Sequence, residues 1–162
     1  MMMPAWLPHI VKVDGLWEEV LSRLYCIFTM DFIEVQRTFE GREVDCDERK
    51  LDEKYEEGFW HLISRTDPSS GERFPDFRRA ERLPWCGPTI TNSTDKAVKV
   101  WDYREGSGRM RTYLWLEDWD YVVVLEKRRQ RRGEIAFLIT AYHVSGASTR
   151  RNLQRKYGER LY

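Results

Sequence analysis

The stretch VKVWDYREGSGRMRTYLWLEDWDYVVVLEKRRQRRGEIAFLITAYHV, Val98 to Val144, decides the fold. Four runs rich in β-branched and aromatic residues, Val98–Tyr103, Met110–Leu116, Tyr121–Lys127 and Ile135–Val144, are separated by turn residues. Such side chains suit a pleated, half-buried surface. Gly106-Ser107-Gly108 joins the first two runs as a hairpin, and Arg128 to Gly133 joins the last two. The spacing predicts an antiparallel meander. Alternation along the last run predicts Ala136, Leu138, Thr140 and Tyr142 on one face, with Ile135, Phe137, Ile139, Ala141 and His143 on the other.

Before the meander the periodicity changes. Leu16, Trp17, Val20, Leu21, Leu24, Tyr25, Ile27 and Phe28 recur at helical spacing with Glu18, Glu19, Ser22 and Arg23 opposite, which predicts an amphipathic helix capped by Asp14. His9–Val13 alternates like an edge strand, and Thr38–Lys54 reads as a short hairpin or loop around Arg42-Glu43-Val44. Phe59–Ile63, between Gly58 and the Asp67–Gly71 loop, reads as a buried strand. Asp76–Leu83 reads as a two-turn helix that Pro84, Gly87 and Pro88 stop before an irregular Trp85-Cys86, and Thr91–Asp95 as a turn. After the meander, Ser145–Tyr162 predicts a basic helix containing Leu153 and Tyr157, with Ser148 as cap. Strands grouped in sequence with helices at the ends indicate an α+β domain: an N-terminal helix, a mostly antiparallel sheet of four to five strands, and a C-terminal helix. No repeat or linker divides residues 1–162, a length ordinary for one domain.

Twenty-seven basic residues balance twenty-seven acidic ones, so no global field draws a polyanion to the chain. The distribution is uneven. Residues 1–60 hold seven basic and fourteen acidic side chains, and residues 127–162 hold ten and two. That asymmetry fits either a polyanion-binding end or a solvated face. Cys26, Cys46 and Cys86 are odd in number and lack a CxxC pair, which points to neither a disulfide framework nor a zinc ribbon and favours a reducing compartment. The opening MMMPAWLPHIVKV lacks the regions of a signal peptide, and no apolar run reaches the roughly 20 residues of a membrane span, so a soluble, cytoplasmic protein is expected with no membrane partner.

Four groups of residues can carry chemistry. His61 interrupts an apolar run, and imidazole titrates near neutrality; a core histidine bonded to a carbonyl is the plainer alternative. Arg65 follows four residues later. Arg78, Arg79, Glu81 and Arg82 form a dense patch whose guanidinium forks match phosphate, although exposed Glu–Arg pairing would account for it equally. Thr140 and Tyr142 project together and could hold a phosphate or ribose, and both are also ordinary strand residues. Lys127, Arg128, Arg129, Arg131 and Arg132 crowd one hairpin tip, which favours a nucleic-acid backbone through counterion release or protects an edge from aggregation. The Cys and His residues lack metal-ligand spacing, and no GxSxG, Walker, HExxH or GxGxxG motif is present, so neither metal nor cofactor is expected.

The segments Gly58-Phe59-Trp60-His61-Leu62-Ile63-Ser64, Arg79-Ala80-Glu81-Arg82-Leu83-Pro84-Trp85, Tyr121-Val122-Val123-Val124-Leu125-Glu126-Lys127 and Phe137-Leu138-Ile139-Thr140-Ala141-Tyr142 carry a resemblance. In this order the chain resembles the barnase/EndoU/colicin/RelE-like nuclease superfamily, particularly its phage-associated branch, over about residues 10 to 160. The resemblance implies a small toxin or effector nuclease of a bacterial or phage-infected cell. It implies cleavage of RNA, with tRNA and mRNA as candidates, without a metal, and a cognate inhibitor protein as a second partner. The reaction is attack of a ribose 2′-hydroxyl on the adjacent phosphate to leave a 2′,3′-cyclic phosphate. It then implies His61 as acid or base, Arg82 with Arg79 and Arg65 as phosphate clamp, Thr140 and Tyr142 as donors, and Lys127 as a further cation. The rival expectation is a non-catalytic RNA- or protein-binding module, an immunity or regulatory partner, using its aromatic sheet and basic tip.

Overall fold

The computed structural model describes residues 2–161. Among them, strands β1 (Thr38–Phe39), β2 (Arg42–Asp45), β5 (Lys99–Arg104), β6 (Met110–Leu116), β7 (Tyr121–Gln130) and β8 (Gly133–His143) form one sheet in the order β1-β2-β8-β7-β6-β5. The sheet is mixed. Every pair is antiparallel except β2 with β8, which run parallel with Glu43 opposite Ile135 and Asp45 opposite Phe137. Two short strands, β3 (Ser64–Thr66) and β4 (Arg73–Pro75), make a separate hairpin. The architecture is α+β, with six strands in the main sheet instead of the four or five expected. The additional strands come from the Thr38–Asp45 hairpin, whose two-residue turn, Glu40-Gly41, has positive φ at both positions.

Helices cover both faces. Helix α1 (Trp17–Phe28) continues into one π-helical turn, Thr29–Glu34, and α2 (Glu57–Ile63), α3 (Phe77–Glu81) and α4 (Leu83–Thr91) follow before the meander. Val20, Leu24 and Phe28 from α1, Phe59, Leu62 and Ile63 from α2, and Leu83, Cys86 and Ile90 from α4 close over Leu114, Leu116, Val123, Leu125, Ala136 and Leu138. Each Val, Leu, Ile or Phe among them taken fully out of water contributes about 1.5–3 kcal/mol. On the opposite face α5 (Gly146–Gly158) lays Leu153 and Tyr157 over Trp101, Tyr113, Trp115, Val122 and Val124. Lys156 fastens that helix, its Nζ donating to the Tyr113 hydroxyl at 2.8 Å and to Glu105 Oε2 at 3.0 Å.

Several local expectations are corrected. Phe59–Ile63 is helical: its buried residues, Phe59, Leu62 and Ile63, stand at i, i+3 and i+4, which places them on one helical face. Trp85-Cys86 lies inside α4, because Pro84 occupies the first turn, where no backbone N–H is needed. His9–Val13 is not a strand; Val11 N–H makes a single backbone bond to the Glu81 carbonyl at 2.9 Å. Neither Asp14 nor Ser148 caps a helix: α1 starts after Leu16 and α5 after Ser145, each without a side-chain cap bond.

Folding also sets the unequal charges against one another. Arg132 at the β7–β8 tip pairs with Asp45 and, at 3.2 Å, with Glu43 on β2. Lys127 lies 3.4 Å from Glu40 and 3.3 Å from Asp102, and Arg42 pairs with Glu134. Through Lys127 and Arg132 the basic end is partly neutralised by Glu40, Glu43 and Asp45, while the Arg42–Glu134 pair runs the other way.

Candidate functional site

The site forms where β8 loses its strand neighbour. Pairing with β2 stops at Phe137, and beyond that point α2 and α3 pack against β8. A β-bulge sits there, between the Leu125–Leu138 and Val124–Thr140 pairs, and puts one extra residue into β8. A bulge shifts side-chain parity by one. Ala136 and Leu138 therefore join the helix-side core while Tyr142 joins the aromatic cluster under α5, and Ala141 returns to the helix side. The single face expected for Ala136, Leu138, Thr140 and Tyr142 is corrected on that ground.

Thr140 and Tyr142 still meet a common partner, Arg79. The Arg79 Nη1 donates to Thr140 Oγ1 at 3.3 Å and to the His61 carbonyl at 3.0 Å, and its Cζ lies 5.7 Å from the Tyr142 ring centroid, in cation–π range. Thr140 Oγ1 donates to the same His61 carbonyl at 2.9 Å. That carbonyl lies in the last turn of α2, where backbone acceptors lack intrahelical partners, so side chains from α3 and β8 close the helix end. Asp76 places the arginine: its carboxylate caps α3 by accepting the Arg79 N–H at 3.1 Å, and lies 3.6 Å from Arg79 Nε.

The His61 imidazole is half-buried, and its Nδ1 is buried without a hydrogen-bond partner among the described residues. Burial holds its pKa below the usual 6.5; Glu57 and Asp47 oppose the shift, and Arg73 and Arg79 add to it. A shift in that direction favours the neutral ring, the form that can accept a proton. Burial raises the Tyr142 phenol, so it stays protonated as a donor, with Arg79 partly opposing.

Arg82 stands between α3 and α4. Its Nη1 donates to Glu81 Oε1 at 2.6 Å and to the Arg78 carbonyl at 3.0 Å, and its guanidinium lies 5.3 Å from the Trp85 ring. Arg65 is exposed on β3. The hairpin-tip residues stand apart: Lys127 and Arg132 are engaged as described above, Arg128 pairs with Glu126 at 2.8 Å and stacks 3.8 Å from the Phe137 centroid, and Arg129 and Arg131 are exposed.

A further histidine belongs to this neighbourhood. His143, two residues before Ser145 at the end of β8, has a buried Nδ1 with no partner among the described residues. Its pKa is lowered by burial first and then by Arg82 and Arg78, against Asp120 and Asp76. Its only sequence signal is that it is one of three histidines. Among the described residues no group of three or more His, Cys, Asp or Glu side chains is placed to hold a metal ion, and no helix is long and apolar enough to cross a membrane. Compared with family models, curated proteins and solved structures, the chain matches none.

Proposed function

We propose that this protein is an endoribonuclease that works without a metal, cleaving RNA by attack of a 2′-hydroxyl on the adjacent phosphate. One observation carries the reading: Arg79 brings its guanidinium to the Thr140 hydroxyl, the Tyr142 ring and the main-chain carbonyl of His61, a residue whose imidazole pKa is lowered by burial. In this reading His61 takes the 2′-proton as the new O–P bond forms. Arg79 and Tyr142 stabilise charge on the non-bridging oxygens. The 5′-oxygen departs as the P–O bond breaks, taking its proton from water. Arg82 supplies further positive charge at the edge of the site. The barnase/EndoU/colicin/RelE-like resemblance of the segments around His61, Arg79 and Thr140 points the same way.

The test is incubation of the purified protein with total RNA in excess chelator. Fragments ending in 2′,3′-cyclic phosphate, lost in a folded His61→Ala variant, support the proposal. Intact RNA, or cleavage that chelator abolishes, overturns it.

A specific observation favours a second reading, a non-catalytic RNA-binding module. Arg79 and Thr140 both give a hydrogen bond to the His61 carbonyl, which is a structural task sufficient to explain their presence. RNA retained uncut by the same protein would select that reading.

A further inference from the structure

Two arginines beside this site have no carboxylate of their own. Arg65 and Arg78 line one groove of about 440 Å³ with Pro75, Asp76, Phe77 and Ser145. Among the described residues neither side chain makes a hydrogen bond or an ion pair, whereas most arginines of this chain make one or both. Asp76, the groove's carboxylate, is committed to Arg79 through its cap and its 3.6 Å contact. Arg65 also borders a second groove of about 340 Å³, lined by Thr66, Asp67, Pro68 and Phe74. Asp67 there accepts from the hydroxyls of Ser69 and Ser70, which hold it ionised. The two grooves meet at Arg65, and with Asp76 set against Arg79, Arg65 and Arg78 outnumber Asp67, which leaves a net positive charge along them.

Aromatic rings interleave with that charge. Phe77 is 52% exposed and Phe74 41%, the largest exposures of any aromatic side chain among the described residues. Phe77 is braced from one side by Trp17, whose ring meets it at 89° with centroids 6.0 Å apart. Phe74 stands opposite Arg65 in the β3–β4 pair. Leaving large rings in water is unfavourable, and two of them alternating with two unpaired guanidiniums form the pattern that takes bases on ring faces and phosphates on cations.

We infer that the joined grooves at Phe74, Arg65, Phe77 and Arg78 bind single-stranded nucleic acid, with Arg65 and Arg78 on successive phosphates and the phenylalanines under bases. The track leads toward Arg79, the neighbour of Arg78 on α3, and so feeds a strand to the proposed cleavage site. The inference rests on the ribonuclease reading for its substrate, but its test does not require catalysis. A duplex fits less well, since its bases are already stacked on one another.

The probe is a fluorescent 2′-O-methyl oligoribonucleotide, which has no free 2′-hydroxyl and cannot be cut by this route. Its Kd is measured against salt concentration. Arg65→Ala and Arg78→Ala are each expected to lower the slope of log K on log salt by about 0.7, the single-strand value for one phosphate contact. Arg65→Lys should restore the slope. Phe77→Ala should weaken binding at least about fivefold with the slope unchanged. Arg104→Ala, at the far sheet edge, should alter neither. Unchanged slopes in both arginine variants, tighter binding of a duplex, or equal displacement by an acidic peptide of the same charge would overturn the groove assignment. Failure of cleavage in the chelator assay, with these slope changes present, would remove the ribonuclease and leave the groove standing.

Discussion

Removing both side chains that reach the His61 carbonyl should cost more than the sum of removing each. Thr140→Val deletes one hydroxyl at nearly constant shape and leaves the carbonyl its Arg79 donor at 3.0 Å, so a neutral hydrogen bond of about 0.5–1.5 kcal/mol is lost. Arg79→Ala removes a charged donor, about 1.5–3 kcal/mol, and leaves the carbonyl its Thr140 donor at 2.9 Å. The double variant leaves the half-buried helix end with no side-chain donor, which adds about 1–3 kcal/mol for an unsatisfied acceptor. One effect opposes this: the direct Arg79–Thr140 contact, 3.3 Å, is lost in either single variant and so is counted twice in their sum, worth about 0.5 kcal/mol. The orphaned acceptor is the larger effect, and a net coupling near 1 kcal/mol in the destabilising direction is expected. Urea unfolding of the four proteins, with equal m-values, measures it. Additivity within about 0.5 kcal/mol, or a double variant milder than the sum, would refute the shared-carbonyl account.

Two further outcomes are expected. His61 and His143 both have pKa values held below 6.5 by burial, so the unfolded chain binds more protons than the native one as pH falls through 6.5. Stability should be level above that pH and decline as it drops toward the depressed native values; a urea midpoint that rises between pH 6.5 and 5.5 would contradict this. Gly58 seats α2 against the chain after β2: a Cβ there would lie 3.0 Å from Cys46 Cβ and 3.1 Å from the Asp47 carbonyl oxygen. Since backbone must yield, Gly58→Ala should cost about 1–3 kcal/mol, and an unchanged or raised urea midpoint would count against that packing.

The meander was legible because each of its strands carries its own local signature, alternation closed by turn residues, and needs only its sequence neighbour to pair. The pairing of β2 with β8 had no such signature. It is parallel and spans about ninety residues, and a four-residue strand among polar residues shows no period of its own. Phe59–Ile63 misled because a five-residue apolar run satisfies strand and helix alike; burial at 59, 62 and 63 decides, and only tertiary contacts show it. At the site, residue types pointed to Arg79, Thr140 and Tyr142, but the atom that joins the first two is a main-chain oxygen, which side-chain reasoning does not see. The basic tip looked free because its acidic partners, Glu40, Glu43 and Asp45, lie far upstream in the chain.

The central place of β8 has a consequence during biosynthesis. This strand is translated after every other strand of the sheet, yet it alone bridges the early hairpin of β1 and β2 to the β5–β7 meander. Until it clears the ribosome, the nascent chain holds two sheet fragments with unsatisfied edges, and closure of the sheet waits for β8 itself. Folding on the ribosome is thereby postponed, and a polypeptide halted short of Gly133 would be a substrate for chaperones and proteases instead of a partial domain.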